Sequence, residues 1–168
     1  MRAVLMLFVV LLAGCGYHTP GSSDAWVGGD AKTLYVQLFD NRTAEPYLEN
    51  YMTSALVAEL SRSRRVVLTE DPAVADLQMV GEVKDFSSSA LAYGTTDQIT
   101  AYRATMNISV RLLRKDSHEI IWKTDLRRSE DYLATVNKNL QLEGQRLAAR
   151  QVSQRLAEDL YARLMNSF

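Results

Sequence analysis

The chain of 168 residues is poor in the residues that build covalent or metal-held sites: one cysteine, two histidines and three prolines. A single cysteine excludes an intramolecular disulfide and a cysteine-based zinc centre. Charge of one sign is also missing, because 19 Lys+Arg face 20 Asp+Glu for a formal net charge of -1. That balance argues against a nucleic-acid partner bound through a basic excess. The longest apolar run, Ala3 to Ala13, has eleven residues. As a helix it would cover about 16 Å, roughly half the hydrocarbon thickness, so it is too short to span a bilayer.

Catalytic patterns are absent too. No G-x-x-x-x-G-K-[ST], G-x-G-x-x-G or H-E-x-x-H occurs, and Ser87-Ser88-Ser89 lacks the G-x-S-x-G setting of a hydrolase nucleophile. His18 falls in a Gly/Ser-rich stretch and His118 in a polar turn, so neither is placed as a buried base. The carboxylate neighbours Glu70-Asp71, Glu130-Asp131 and Glu158-Asp159 are adjacent in sequence and read as solvated. The expectation is a protein that is not an enzyme, with no metal and no cofactor.

What is present begins with an address. Arg2, the apolar run and Leu12-Ala13-Gly14-Cys15 have the order of a secretory signal peptide, and the last four residues resemble the lipobox of bacterial lipoproteins. Residues 1–14 are then removed and Cys15 carries a diacylglyceryl thioether and an amide-linked acyl chain. Two or more chains hold a protein stably on a membrane, where one does not. Gly16 after the cysteine implies, in enteric-type sorting, transfer to the outer membrane. Loss of Arg2 leaves 18 basic residues against 20 acidic ones. Residues 15–31, rich in Gly, Ser and Pro without periodicity, read as a lipidated flexible tether.

Residues 32–168 read as one domain, consistent with 47% hydrophobic and 23% charged residues. A first strand is expected over 33–39, a helix from Pro46 to about Ser63 and a short strand at 66–68. Longer strands are expected over 77–86, 101–113 and 119–128, each with period 2. The stretch 87–98 reads as a long loop, functional or mobile. A last helix is expected over 140–164, with Leu140, Gly144, Ala148, Val152, Leu156, Leu160 and Leu164 as an i+4 ladder widened by Leu147. The fold class is α+β: a two-layer sandwich with two amphipathic helices on one face of a mixed sheet of about four strands.

Opposite the apolar stripe of 101–113 lie Arg103, Thr105, Asn107, Ser109 and Arg111. The next strand presents Lys123, Asp125 and Arg127 with the same parity, and Lys84 can share it. Such a face is either the ordinary solvated side of a half-buried sheet or a surface for a polar partner or anionic ligand, for which Arg forks suit phosphate.

Four pieces, in order, are similar to the LptE family of lipopolysaccharide-assembly lipoproteins. They are Cys15-Gly16-Tyr17; Phe39-Asp40-Asn41-Arg42-Thr43 followed by Glu45-Pro46-Tyr47-Leu48-Glu49; Ala75-Asp76-Leu77 before a strand containing Gly81; and an Arg-, Ala- and Leu-rich last helix. The resemblance implies a lipid-anchored outer-membrane protein facing the periplasm. It also implies that the domain plugs the lumen of the LptD β-barrel, assists its assembly and binds lipopolysaccharide (LPS). Arg103, Arg111, Lys123, Arg127 and Arg128 are the candidate contacts to LPS or barrel, chosen from the strand pattern and not transferred from the family. Small lipoproteins that regulate a cell-wall synthase or a secretion assembly share the tether and domain size and stand as the alternative.

Overall fold

Alternation of apolar and polar side chains builds the sheet. The computed structural model describes residues 26–95 and 97–165; the expected signal peptide, Cys15 and most of the tether lie outside the described residues. In β5 (Ile99–Arg114), the middle one of the three long strands, Ala104, Met106, Ile108, Val110 and Leu112 are completely buried. β4 (Leu77–Tyr93) and β6 (Ile120–Leu133) flank it antiparallel. β1 (Thr33–Val36) lies parallel to β4 and to β3 (Val67–Leu68), and β2 (Asp40–Asn41) is parallel to β4. The sheet order is β3-β1-β4-β5-β6, with β2 beside β4. The mixed α+β sandwich is as expected. The strands number six rather than about four, because two are only two residues long.

Helix α1 (Leu48–Leu60) buries Leu48, Met52, Leu56 and Leu60, one residue every turn. Each such burial is worth roughly 1.5–3 kcal/mol. Helix α2 (Lys138–Met165) packs beside α1 on the same face of the sheet. Its buried stripe runs Ala148, Val152, Leu156, Leu160 and Leu164, widened by Ala149, Ser153 and Ala157. The expected members Leu140 and Leu147 are instead exposed. α2 has 28 residues and α1 only 13, so the first turns of α2 overhang its partner, and small residues form the close side of the stripe.

Two further differences have local causes. The expected strand 33–39 ends at Val36 because Phe39 turns inward over Gly81, where only a missing side chain leaves room: a Cβ there would lie 2.3 Å from the ring. The expected loop 87–98 is mostly strand, since β4 runs on to Tyr93 and pairs with β5 throughout. A bulge between Val83 and Asp85 inserts Lys84 and reverses the parity. Leu77, Met79 and Val83 face the helices before it; Phe86, Ser88 and Ala90 have that register after it. The period-2 pattern therefore breaks at the bulge although the strand continues.

The folded body also starts before Lys32, inside the expected tether. Trp26 is 7% exposed, and Val27 N–H donates to the Leu164 carbonyl at 3.2 Å, which ties this end to the last turn of α2.

Candidate functional site: the bare face of the sheet

Both helices cover one face, so the other is open, and its side chains form rows across β4, β5 and β6. The register gives Val80–Arg111–Lys123, then Glu82–Ser109–Asp125, Asp85–Asn107–Arg127, Ser87–Thr105–Ser129 and Ser89–Arg103–Asp131. Four of the five expected candidates, Arg103, Arg111, Lys123 and Arg127, stand on this face. Arg128 does not: it is opposite Met106 and so has the register of the helix side. There its guanidinium forks onto Asp159 of α2, with Nη2 donating to Oδ1 at 2.9 Å.

The register also sorts the cations by what they touch. Arg103 donates from Nε and Nη2 to the two oxygens of Asp131 at 2.7 and 2.8 Å, a bidentate fork. That bond, and the Asp131 charge, raise the Arg103 pKa and hold the Asp131 carboxyl below its usual value. Lys84, which shares the parity of Val80 and Glu82 on this face, donates to Asp125 at 3.1 Å across the intervening strand. The Lys84 bond first, then that of Ser109, lower the Asp125 pKa. Asn107 donates to Asp85 at 3.2 Å, and Arg42 lies 3.9 Å from Glu82.

Arg111, Lys123 and Arg127 have no carboxylate within ion-pair distance among the described residues. Arg111 and Lys123 are directly opposite each other on neighbouring strands. Like charges in that position destabilise a strand pair, and an anion placed between them would relieve the repulsion. The exposed ammonium and guanidinium supply up to eight N–H donors, a set suited to a phosphate or sulfate ester. Among the described residues no group of His, Cys, Asp and Glu is gathered as a metal site.

The signature-like residues singled out in the sequence have internal work. Asn41 Nδ2 donates to the Glu45 carbonyl at 2.8 Å and to Glu49 at 2.9 Å, while its Oδ1 accepts from Thr43 N–H at 3.0 Å. Together they bend the chain from β2 into α1, where Tyr47 takes φ 70°. Asp76 accepts from the Lys32 and Thr33 amides at 2.8 and 2.9 Å. Sequence reasoning did not find the partners Asp131 and Asp159, which are 28 and 31 residues away from their arginines; strand register exposes the first pairing and the packing of α2 on the sheet the second.

Comparison with known proteins places this geometry. A family model described as LptE, lipopolysaccharide-assembly, matches residues 31–164. No curated protein is matched. Among solved structures, a protein from Xanthomonas campestris has a TM-score of 0.59 at 12% identity, covering 80% of this chain and 84% of that one. The rare lipoprotein B from Shewanella oneidensis has a TM-score of 0.51 at 12% identity, covering 80% and 91%. A PelC dodecamer from Paraburkholderia phytofirmans has 0.55 at 14%, covering 82% and 88%. At such identities the likeness is one of fold.

Proposed function

Because the chain belongs to the LptE lipopolysaccharide-assembly family, we propose that it is an outer-membrane lipoprotein that plugs and helps assemble an LptD-type β-barrel and binds LPS on its way to the outer leaflet. In this reading Cys15 carries the lipid anchor and the domain faces the periplasm and the barrel lumen. Among the described residues no helix is long and apolar enough to cross a membrane, which accords with anchoring by lipid. The observation that carries the ligand is the Arg111–Lys123 pair, two cations side by side on a face that both helices leave bare, neither within ion-pair distance of a carboxylate among the described residues. Arg127 stands two rows further along β6 on the same face. Lumens of large barrels are polar, and the rows of Ser, Thr, Asn and paired charges around the site give a surface that such a lumen can solvate.

The role is one of binding and positioning. The sheet holds the two cations at fixed spacing, so little ordering cost remains when an anionic headgroup arrives. The paired cations Arg103, Lys84 and Arg128 fasten strands and helix to one another and are contacts of second rank. The experiment that tests the reading is capture of the tagged, full-length protein from solubilised outer membranes. A very large β-barrel should accompany it in a stable complex with LPS. Recovery with a cell-wall synthase or secretion component, and without a barrel, would overturn it.

A further inference from the structure

The sheet ends in two unlike edges. β3 has two residues, whereas β6, at the other end of the order, has 14 and no strand beyond it among the described residues. Natural sheets blunt a long edge with proline, a bulge or a covering element, because its free N–H and C=O groups are a template for another strand. Over 122–133, β6 has neither a proline nor a register shift against β5. Its ion pairs to α2, Arg128 with Asp159 and Glu130 with Arg155, leave from even-numbered residues on the helix side.

The ladder fixes which backbone groups face outward. Ala134 N–H donates to the Thr100 carbonyl at 3.0 Å, in line with the pairing of Ala101 with Leu133 and Tyr102 with Tyr132. Ladder bonds skip every second residue of an antiparallel strand, so the even-numbered residues of β6 bond to β5. The odd-numbered ones, Lys123, Asp125, Arg127, Ser129 and Asp131, turn N–H and C=O to the open edge, and their side chains stand on the bare face. Among the described residues no main-chain partner reaches these outward groups.

The side chains define the strand that fits. Asp125 is held by Lys84 and Asp131 by Arg103. Lys123 and Arg127, four residues apart, have no carboxylate within ion-pair distance among the described residues. An added strand sets two of its own residues, also four apart, directly opposite them, where carboxylates attract and cations repel. β6 of a second copy cannot supply that spacing: its carboxylates on this face, Asp125 and Asp131, are six residues apart and already paired. The stretch 15–25 cannot either, since Asp24 is its one acidic residue.

We propose that the outer edge of β6 receives an extended segment of another polypeptide, as an added strand with carboxylates four residues apart. Main-chain bonds to the odd-numbered residues attach it, and the charges of Lys123 and Arg127 set its register. The proposal does not depend on the LPS reading. Lys123 serves both sites, so the test is run without LPS.

The test is residue-resolved amide hydrogen exchange of the purified full-length protein with a capped ten-residue peptide of alternating Thr and Val carrying Glu at two positions four apart. The peptide should slow exchange at least tenfold at the amides of Lys123, Asp125, Arg127, Ser129 and Asp131, while the even-numbered amides are slow with or without it. A peptide with Lys at both positions should bind at least tenfold more weakly, and Lys123→Glu/Arg127→Glu should invert that preference. Ser129→Pro removes an outward N–H but no ladder bond and should abolish binding; Ser129→Ala, which loses only the hydroxyl contact with Thr105, should keep it. Failure of the Glu peptide to bind, equal affinity for both peptides, or binding that leaves the odd-numbered amides unprotected would overturn the proposal. Slow exchange at those amides in the protein alone, with a dimer in sedimentation, would seat a second copy on the edge and overturn it too. Each of these failures leaves the LPS reading standing.

Discussion

Gly81 and Phe39 occupy one space: a Cβ on Gly81 would sit 2.3 Å from the Phe39 ring, whose side chain is 2% exposed. Phe39 closes the core where the chain leaves β1 and enters β2, so the glycine is a packing requirement. Gly81→Ala should destabilise the domain by roughly 1–3 kcal/mol, the usual cost of overpacking. In urea unfolding, Phe39→Leu in the same chain should restore part of that loss, because the two changes share one cavity. Additive losses would show that the contact is not the cause.

A second prediction concerns acid. Asp76 accepts the Thr33 and Lys32 amides while its own N–H donates to Thr33 Oγ1 at 2.8 Å, which clips the start of β1 to the start of β4. The Thr33 and then the Lys32 backbone bonds hold its pKa below the ordinary 3.8. A carboxyl with a depressed folded-state pKa stabilises fully above its unfolded value and loses that contribution as pH falls through the folded one. Asp76→Asn should therefore melt at lower temperature than the parent at neutral pH. The gap should narrow as pH drops below about 4. A gap that stays constant down to the acid limit would remove the clip from the account.

Much of this architecture was legible in the sequence because its signals are local. Six alternating residues from Tyr102 to Leu112 and the fourfold ladder of α2 declare their buried faces directly. The bulge at Lys84 was not legible, since an inserted residue reverses the parity and makes a continuing strand resemble a loop. Leu140 and Leu147 fit the helical period yet lie outside the core, because periodicity says nothing about where the neighbouring helix ends. For the candidate cations, parity placed Arg103, Arg111, Lys123 and Arg127 together on one face. It could not show that Arg103 is forked onto Asp131, or that Asp159 holds Arg128 on the other side; those pairings depend on elements remote in sequence.

The anchor gives a third prediction. Cys15→Ala should leave a precursor that keeps residues 1–14 and carries no lipid, seen as a mass increase by the leader and loss of the acyl groups. Fractionation should then find the protein depleted from the outer membrane. Normal maturation of this variant would exclude the lipobox reading.

The most direct test of the central claim is a titration of purified LPS against the soluble domain and its Arg111→Gln/Lys123→Gln variant over a range of salt. Two charge-assisted contacts of about 1.5–3 kcal/mol each predict binding weaker by at least tenfold and a shallower loss of affinity as salt screens the site. Arg103→Gln, whose guanidinium is already held by Asp131, should change binding far less. Equal affinity and equal salt dependence in the double variant and the parent would contradict the account.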